Sequence, residues 1–234
     1  MEPGLYIVGT PIGHLADVTL RALDTLRGAD CIFAEDTRRT RKLLTHYEIR
    51  KPLMSCHKFN EAARIQPLVE RLGAGEAVVL VTDSGMPCIS DPGGRVVSAC
   101  REAGADVYIV PGPSSVSAAA AWSGLVSGGY HFEGFLPVKR GARRTRLEAL
   151  ADCPLPVLFF ESPYRVKRLL AEWGGLCPDR PVFLAREMTK RFEEGLAGTA
   201  GDILEQLGER TIKGECVLVS AGRGKKEKNA TSDR

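Results

Sequence analysis

Short apolar runs alternating with amphipathic segments constrain the first half of this chain more than any other feature. Leu5 to Val8, Cys31 to Ala34, Leu53 to Cys56, Ala77 to Val81 and Val107 to Val110 are each of strand length. Between them, Thr19 to Leu26 places Leu20, Leu23 and Leu26 at helical spacing, and Arg38 to His46, 61–72 and 94–103 read as further helices. Asp36 or Thr37 can cap the second of these helices and Asp91 the fourth. Such alternation predicts an α/β layer on a mainly parallel sheet. Pro111-Gly112-Pro113 interrupts the pattern after a strand, and Ser114 to Ala121 reads as a helix begun by a serine cap. Beyond it the strand-like runs are His131 to Leu136, Pro156 to Phe160, Val182 to Ala185, Phe192 to Ala197 and Cys216 to Ser220. Two neighbours among them leave no room for a helix, which predicts antiparallel pairing. The expected organisation is an N-terminal α/β domain over 1–112, a C-terminal α/β domain with a mixed sheet over 113–222, and a disordered polar tail over 223–234.

At 234 residues and 44% hydrophobic, the chain can bury a sizeable core. No apolar run approaches the roughly 20 residues of a membrane span, and Met1-Glu2-Pro3-Gly4 lacks the basic start of a signal peptide, so a cytoplasmic protein with no membrane partner is expected. The seven cysteines are scattered, with no Cys-x-x-Cys pair, and the four histidines lack metal-site or triad spacing, so no metal is expected and a hydrolase is disfavoured. Residues 1–112 carry 13 Lys/Arg against 14 Asp/Glu, and 113–234 carry 19 against 15, which weights attraction to a polyanion toward the second half. There Lys139, Arg140, Arg143, Arg144 and Arg146 put five cations in eight residues with no acid. In a helix Arg140, Arg143 and Arg144 share a face, which suits phosphate contacts. Smaller clusters are Arg38, Arg39, Arg41 and Lys42; Arg165, Lys167 and Arg168; and Lys190 and Arg191.

Three segments follow strands and carry possible binding groups. Gly9-Thr10-Pro11-Ile12-Gly13 sits where open α/β sheets usually bind ligands, although Gly-x-Gly-x-x-Gly is absent, Pro11 lacks an amide donor, and a plain tight turn fits equally well. Thr82 to Gly94 avoids regular structure before a helix restarts. Asp83 at a strand end could accept ribose hydroxyls or offset a cationic ligand, with Ser84 and Gly85 presenting backbone groups. Pro111 to Ser115 points hydroxyls and free helical amides toward the same sheet edge, so the three loops are expected to converge.

These segments together resemble the tetrapyrrole methylase superfamily, and within it the branch that acts on small-subunit ribosomal RNA. The resemblance is carried by Gly9 to Asp17, Ala34 to Arg38, Thr82 to Gly93, Pro111 to Ser114, Gly134 to Pro137, Glu161 to Arg165, Arg186 to Lys190 and Lys213 to Glu215. It implies two α/β domains with S-adenosylmethionine in a cleft between them, a homodimer, and methyl transfer to the 2′-hydroxyl of a cytidine in the decoding region, on free RNA or an assembled small subunit. The donor would meet Pro11, Gly13, Asp83, Ser84, Gly85, Met86, Ile89, Ser114, Ser115, Phe160, Lys213 and Gly214. Glu187 and Lys190 lead the catalytic candidates, with Asp36 and Glu61 beside them. RNA would contact Arg38, Arg39, Lys139, Arg140, Arg143, Arg144, Arg146 and Arg165. Thr and His are more typical of the branch at Met86 and Tyr164, and many relatives continue into a C-terminal helical segment that this chain, stopping at Arg234, would lack. The alternatives are a methylase of a small tetrapyrrole, of corrin or uroporphyrinogen type, and a non-enzymatic RNA-binding assembly protein.

Overall fold

The computed structural model describes residues 1–224 and divides into two compact units, one ending at Ser114 and the other beginning at Ser115. The first holds strands β1 (Gly4–Val8), β2 (Cys31–Ala34), β3 (Leu53–Ser55), β4 (Ala77–Val81) and β5 (Val107–Val110). They form one sheet in the order β3-β2-β4-β1-β5, parallel throughout. Helices α1 (Leu20–Gly28) and α2 (Thr37–His46) bury Leu23, Leu26, Leu43 and Leu44 with Ile32, Val79 and Val81 of the sheet. Helices α3 (Glu61–Gly73) and α4 (Gly94–Glu102) bury Leu68, Leu72, Val96 and Cys100 with Phe33, Val78 and Leu80. Successive strand residues thus feed opposite cores, as the two-residue period of a strand requires, and the continuous apolar runs follow from burial on both faces.

Strand order also locates a crevice suited to a ligand. The connection from β1 runs toward β2 and β3, whereas the one from β4 crosses β1 to reach β5. The chain therefore reverses its direction of travel between two adjacent strands, β1 and β4. Open α/β sheets leave a crevice at such a switch point, outside the carboxyl ends of the strands.

The second unit contains α5 (Ser115–Ser123), β6 (His131–Phe135), α6 (Arg140–Ala151), β7 (Val157–Glu161), α7 (Val166–Leu176), β8 (Val182–Arg186), β9 (Glu194–Gly198), α8 (Ala200–Leu207) and β10 (Cys216–Ser220). Its sheet runs β6-β7-β10-β8-β9, with β6 parallel to β7 and every other pair antiparallel. The mixed sheet and the β8–β9 pairing agree with the sequence expectation. The buried faces of α6, α7 and α8 (Leu147, Leu169, Trp173 and Ile203 among them) pack with Phe159, Leu184 and Leu218, and the buried Trp173 indole donates to Ser220 Oγ at 3.0 Å.

Arg223 is tied into this unit by an ion pair to Asp152 at 2.7 Å and by its amide to the Cys153 carbonyl, so the expected tail cannot begin at 223, and its part from 225 to 234 lies outside the described residues. The expected cap at Asp91 is also corrected. The N-cap of α4 is Gly93, and the acceptor for its first amides is the side chain of Glu61. Among the described residues no helix is long and apolar enough to cross a membrane, and no three His, Cys, Asp or Glu residues group as metal ligands.

Candidate functional site

The loops after β1, β4 and β5 leave three neighbouring strands, and backbone contacts join them. Thr10 and Gly85 form an isolated antiparallel bridge, N to O at 2.9 and 3.1 Å in the two directions, and Thr10 Oγ1 donates to the Thr82 carbonyl at 3.1 Å. The Gly9 amide donates to the Val110 carbonyl at 3.0 Å. A β-carbon on Gly9 would lie 2.6 Å from Met86 Sδ and 2.7 Å from Gly112 Cα, while one on Gly112 would lie 2.9 Å from the Gly9 backbone. Two glycines are needed here because two loop backbones touch. The predicted convergence is therefore present, but the closest approach is of loop to loop. Gly9, Thr10, Thr82 and Gly112 hold it together, and the sequence reading named none of them as site residues. The visible signal was a glycine within two residues of the end of each of two strands that turn out to be neighbours.

At this edge Pro11 and Gly85 are buried, Asp83, Ser84, Met86, Ser114 and Ser115 are half-buried, and Gly13 and Ile89 are exposed. Asp83 accepts the Asp36 amide at 2.9 Å and faces Arg39 Nε at 3.5 Å; burial pushes its carboxyl above the usual range. Thr82 Oγ1 donates to Glu35 at 2.7 Å, so the ends of β2 and β4 are joined by side chains as well as by the sheet.

Two catalytic candidates of the first unit have structural tasks instead. Glu61 is buried and accepts the Gly93 and Arg95 amides at 2.9 and 3.2 Å, satisfying donors that a helix start leaves unpaired. Asp36 caps α2 through the Arg38 amide at 2.8 Å and pairs with the Arg38 guanidinium at 2.7 Å, which holds its carboxyl far below the carboxylate range.

In the second unit Glu187 and Lys190 do meet, at 2.8 Å, and Lys190 also reaches Glu215 at 3.0 Å. Glu187 Oε1 takes the Glu215 amide at 2.9 Å, and the Glu187 amide donates back to the Glu215 carbonyl at 3.0 Å. Any side chain at Gly214, whose φ is 88°, would overlap the Glu187 carboxylate. Glu187 and Thr189 themselves have φ of 50° and 64°, left-handed conformations that cost non-glycine residues on the order of 1 kcal/mol or more each. Burial opposes ionisation of Glu187, but Lys190 and the Glu215 amide outweigh it and hold its carboxyl below the usual range. The same acids hold Lys190 above its usual range despite burial. The predicted donor residues Lys213 and Gly214 thus lie on a turn that Glu187 fixes, and Arg186 adds a hydrogen bond to the Lys213 carbonyl at 3.0 Å. Phe160 is half-buried against Phe132 and Phe135, with ring centroids 4.9 and 5.6 Å away.

The expectation of an uncompensated basic cluster at 139–146 fails. Arg143 is 1% exposed, with Nη1 on Glu161 at 2.9 Å and Nε on Glu172 at 2.5 Å, so it cannot contact RNA. Arg146 pairs with Glu133 at 2.6 Å, Arg144 with Glu148 at 2.8 Å, and Arg165 with Glu161 at 2.7 Å. Lys139 and Arg140 remain exposed and without an ion-pair partner among the described residues. Arg38 and Arg39, though largely exposed, are engaged by Asp36 and Asp83.

Residues 4–204 match the family of tetrapyrrole (corrin/porphyrin) methylases. The chain is 45% identical over 220 residues to a ribosomal RNA small subunit methyltransferase I of Thermotoga maritima, covering 94% of this chain and 98% of that one. It is 44% identical over 237 residues to the protein of the same name from Mesorhizobium japonicum, covering 100% of this chain and 81% of that one. Among solved structures, a uroporphyrin-III C-methyltransferase from Thermus thermophilus in complex with S-adenosylhomocysteine superposes with a TM-score of 0.65 at 20% identity, over 93% of this chain and 97% of that one, a likeness of fold.

Proposed function

The chain belongs to the tetrapyrrole (corrin/porphyrin) methylase family, and on that premise we propose that it transfers a methyl group from S-adenosylmethionine to the 2′-hydroxyl of a cytidine in the decoding region of small-subunit ribosomal RNA. The carrying observation is the 45% identity over nearly the whole of both chains to a relative named for ribosomal RNA, against 20% for the tetrapyrrole enzyme. A cytoplasmic homodimer acting on rRNA or the assembled subunit fits that reading.

The residues present suit the donor. The joined loops of the first unit offer backbone groups at 84–86, the half-buried Asp83 carboxylate beside a cationic ligand, and the Ser114 and Ser115 hydroxyls. We assign donor contacts to these, with Pro11, Gly13, Met86 and Ile89, and, from the second unit, Phe160, Lys213 and Gly214. Bound there, S-adenosylmethionine supplies an electrophilic methyl group already attached to a good leaving group, so the chain's main task is alignment. Lys190, held protonated, cannot accept a proton and instead presents a positive charge. Glu187 stays ionised, with Oε1 occupied by Lys190 and the Glu215 amide, and we assign Oε2 to receive the hydroxyl proton. Its depressed pKa makes it a weak base, so its help comes late, as the oxygen acquires acidity.

The test is transfer of tritiated methyl to small subunits purified from cells lacking the gene, followed by mapping of ribose methylation on the RNA. The expected result is one cytidine labelled in the decoding region. No label in RNA, with label entering uroporphyrinogen or a corrin precursor, would assign the chain to the tetrapyrrole enzymes instead.

A further inference from the structure

We infer that the exposed face of α2 built from Arg41 and Lys42 is a contact for the phosphate backbone of the RNA substrate, a step that rests on the functional reading above. From Arg38 to Lys51 the chain carries six Lys/Arg residues against Glu48 alone. The summed charge of residues 1–112 conceals this, because their acids lie elsewhere. Helix α2 buries Thr40, Leu43 and Leu44, which turns Arg38, Arg41, Lys42 and His46 outward. The open groove they border, about 720 Å³, is also lined by Leu15 of the short 3-10 turn Leu15–Asp17, which Tyr47 anchors by donating to the Leu15 carbonyl at 2.8 Å.

Adjacent cation pairs that stay free of ion pairs among the described residues include Arg41–Lys42 and Lys139–Arg140, and only the first of these lies on a helix without an acid, in the unit that holds the joined loops. Arg38 and Arg39 are held by Asp36 and Asp83, and Arg143, Arg144 and Arg146 by Glu161, Glu172, Glu148 and Glu133. Arg41 and Lys42 have no ion-pair partner among the described residues, and no acid lies on their helix. An adjacent pair of free cations on an exposed helix face that carries no acid is complementary to a polyanion. Its position is informative too. Helix α2 starts at the carboxyl end of β2, whose Asp36 bonds Asp83 of the loop after β4, so phosphates held on α2 are held on the same sheet edge as the donor loops.

The test measures filter binding of Arg41→Ala/Lys42→Ala to small ribosomal subunits from cells lacking the gene, between 50 and 300 mM KCl. Each phosphate contact contributes about 0.7–0.9 to the slope of log affinity against log salt. At about 0.1 M salt, losing two contacts corresponds to a roughly 25- to 60-fold weaker affinity, with the slope reduced by about 1.4–1.8. Affinity for S-adenosylhomocysteine by calorimetry and the melting temperature should not change. Arg144→Ala should bind subunits like wild type, and Arg41→Lys should retain most of the affinity. A double variant that binds with wild-type affinity and slope, while wild type methylates the subunit, overturns the inference and leaves the functional reading intact. A wild-type protein that neither binds nor methylates the subunit overturns both.

Discussion

Replacing Arg143 separates a structural role from an RNA-binding one, because the two roles move different observables. Its guanidinium is 1% exposed and holds Glu161 Oε2 and Glu172 Oε2, and the Glu161 side chain is fully buried. Burial opposes the charge, but the bonds from Glu172 and Glu161 outweigh it, so Arg143 is held charged. Breaking a buried pair by removing one partner costs about 3–5 kcal/mol, since the remaining charge is left uncompensated. Two features place Arg143→Met near the lower end. Glu161 Oε1 keeps Arg165 at 2.7 Å and the Ser162 amide at 2.8 Å, and Arg143 Nη2 is already buried without a partner, so removing it relieves an existing penalty. A loss of about 3 kcal/mol lowers the midpoint of a domain near this size by roughly 10 °C.

Both tryptophans of the chain, Trp122 and Trp173, lie in the second unit, so their fluorescence follows the melting of that unit by itself. In Arg143→Met/Glu161→Met the orphaned carboxylate is gone, and an apolar pair of similar volume replaces the ion pair. At least half of the lost stability should return. Subunit affinity, measured below the melting range, should stay within twofold of wild type in both variants. A midpoint within 2 °C of wild type together with a tenfold loss of subunit affinity would refute the burial argument and restore Arg143 to the RNA surface.

Gly9→Ala or Gly112→Ala forces apart backbones that a β-carbon would approach to 2.7–2.9 Å; at an overpacking cost of about 1–3 kcal/mol, S-adenosylhomocysteine affinity should fall roughly tenfold by calorimetry. Adding Met86→Ala to Gly9→Ala removes only the sulfur contact, so it should not restore binding; full restoration would make the Gly9–Gly112 contact irrelevant. Glu187→Gln keeps an acceptor for the Glu215 amide and should hold donor affinity within about threefold while turnover drops at least tenfold, whereas Glu187→Ala should lose both; equal kcat for wild type and Glu187→Gln removes it as the base. Glu133, Glu172, Glu187 and Glu194 all have folded-state pKa values below their ordinary range, so the stability they confer is complete above about pH 4.5 and lost as pH falls through the lower folded values. Tryptophan fluorescence should therefore show the second unit destabilising progressively below pH 4.5; melting temperatures constant from pH 6 to 3 would contradict the pairing.

The strands, their parallel and antiparallel pairing and the meeting of three loops were legible because each depends on local patterning: apolar runs of strand length, helical spacing between them, and one pair of runs too close to admit a helix. The fate of the charges was not. Arg143 sits among four neighbouring cations in sequence, yet its partners lie 18 and 29 residues away, brought to it by β7 and α7. The partner of Arg146 lies on β6. Glu61 was a catalytic candidate through the resemblance alone, and its partners, the amides of Gly93 and Arg95, 32 and 34 residues downstream, were out of view of any local pattern. A cluster count sees charges along the chain, whereas availability depends on what the fold sets against them.

That difference bears on how the two sets of proposed donor contacts respond to conditions. In the first unit the loops meet through backbone hydrogen bonds and van der Waals contact at Gly9, Thr10, Gly85 and Gly112, none of which titrates or is screened by salt. In the second, the Lys213–Gly214 turn is held through Glu187, Lys190 and Glu215, a charged arrangement with two left-handed residues that the surrounding bonds must keep in place. Partly exposed ion pairs weaken with salt, and a left-handed glutamate has less reason to persist once its carboxylate is neutral. Donor affinity should therefore respond to salt and acid through the 187–215 contacts, and a Lys190→Met variant should reduce that response while leaving the contribution of the first unit's loops in place.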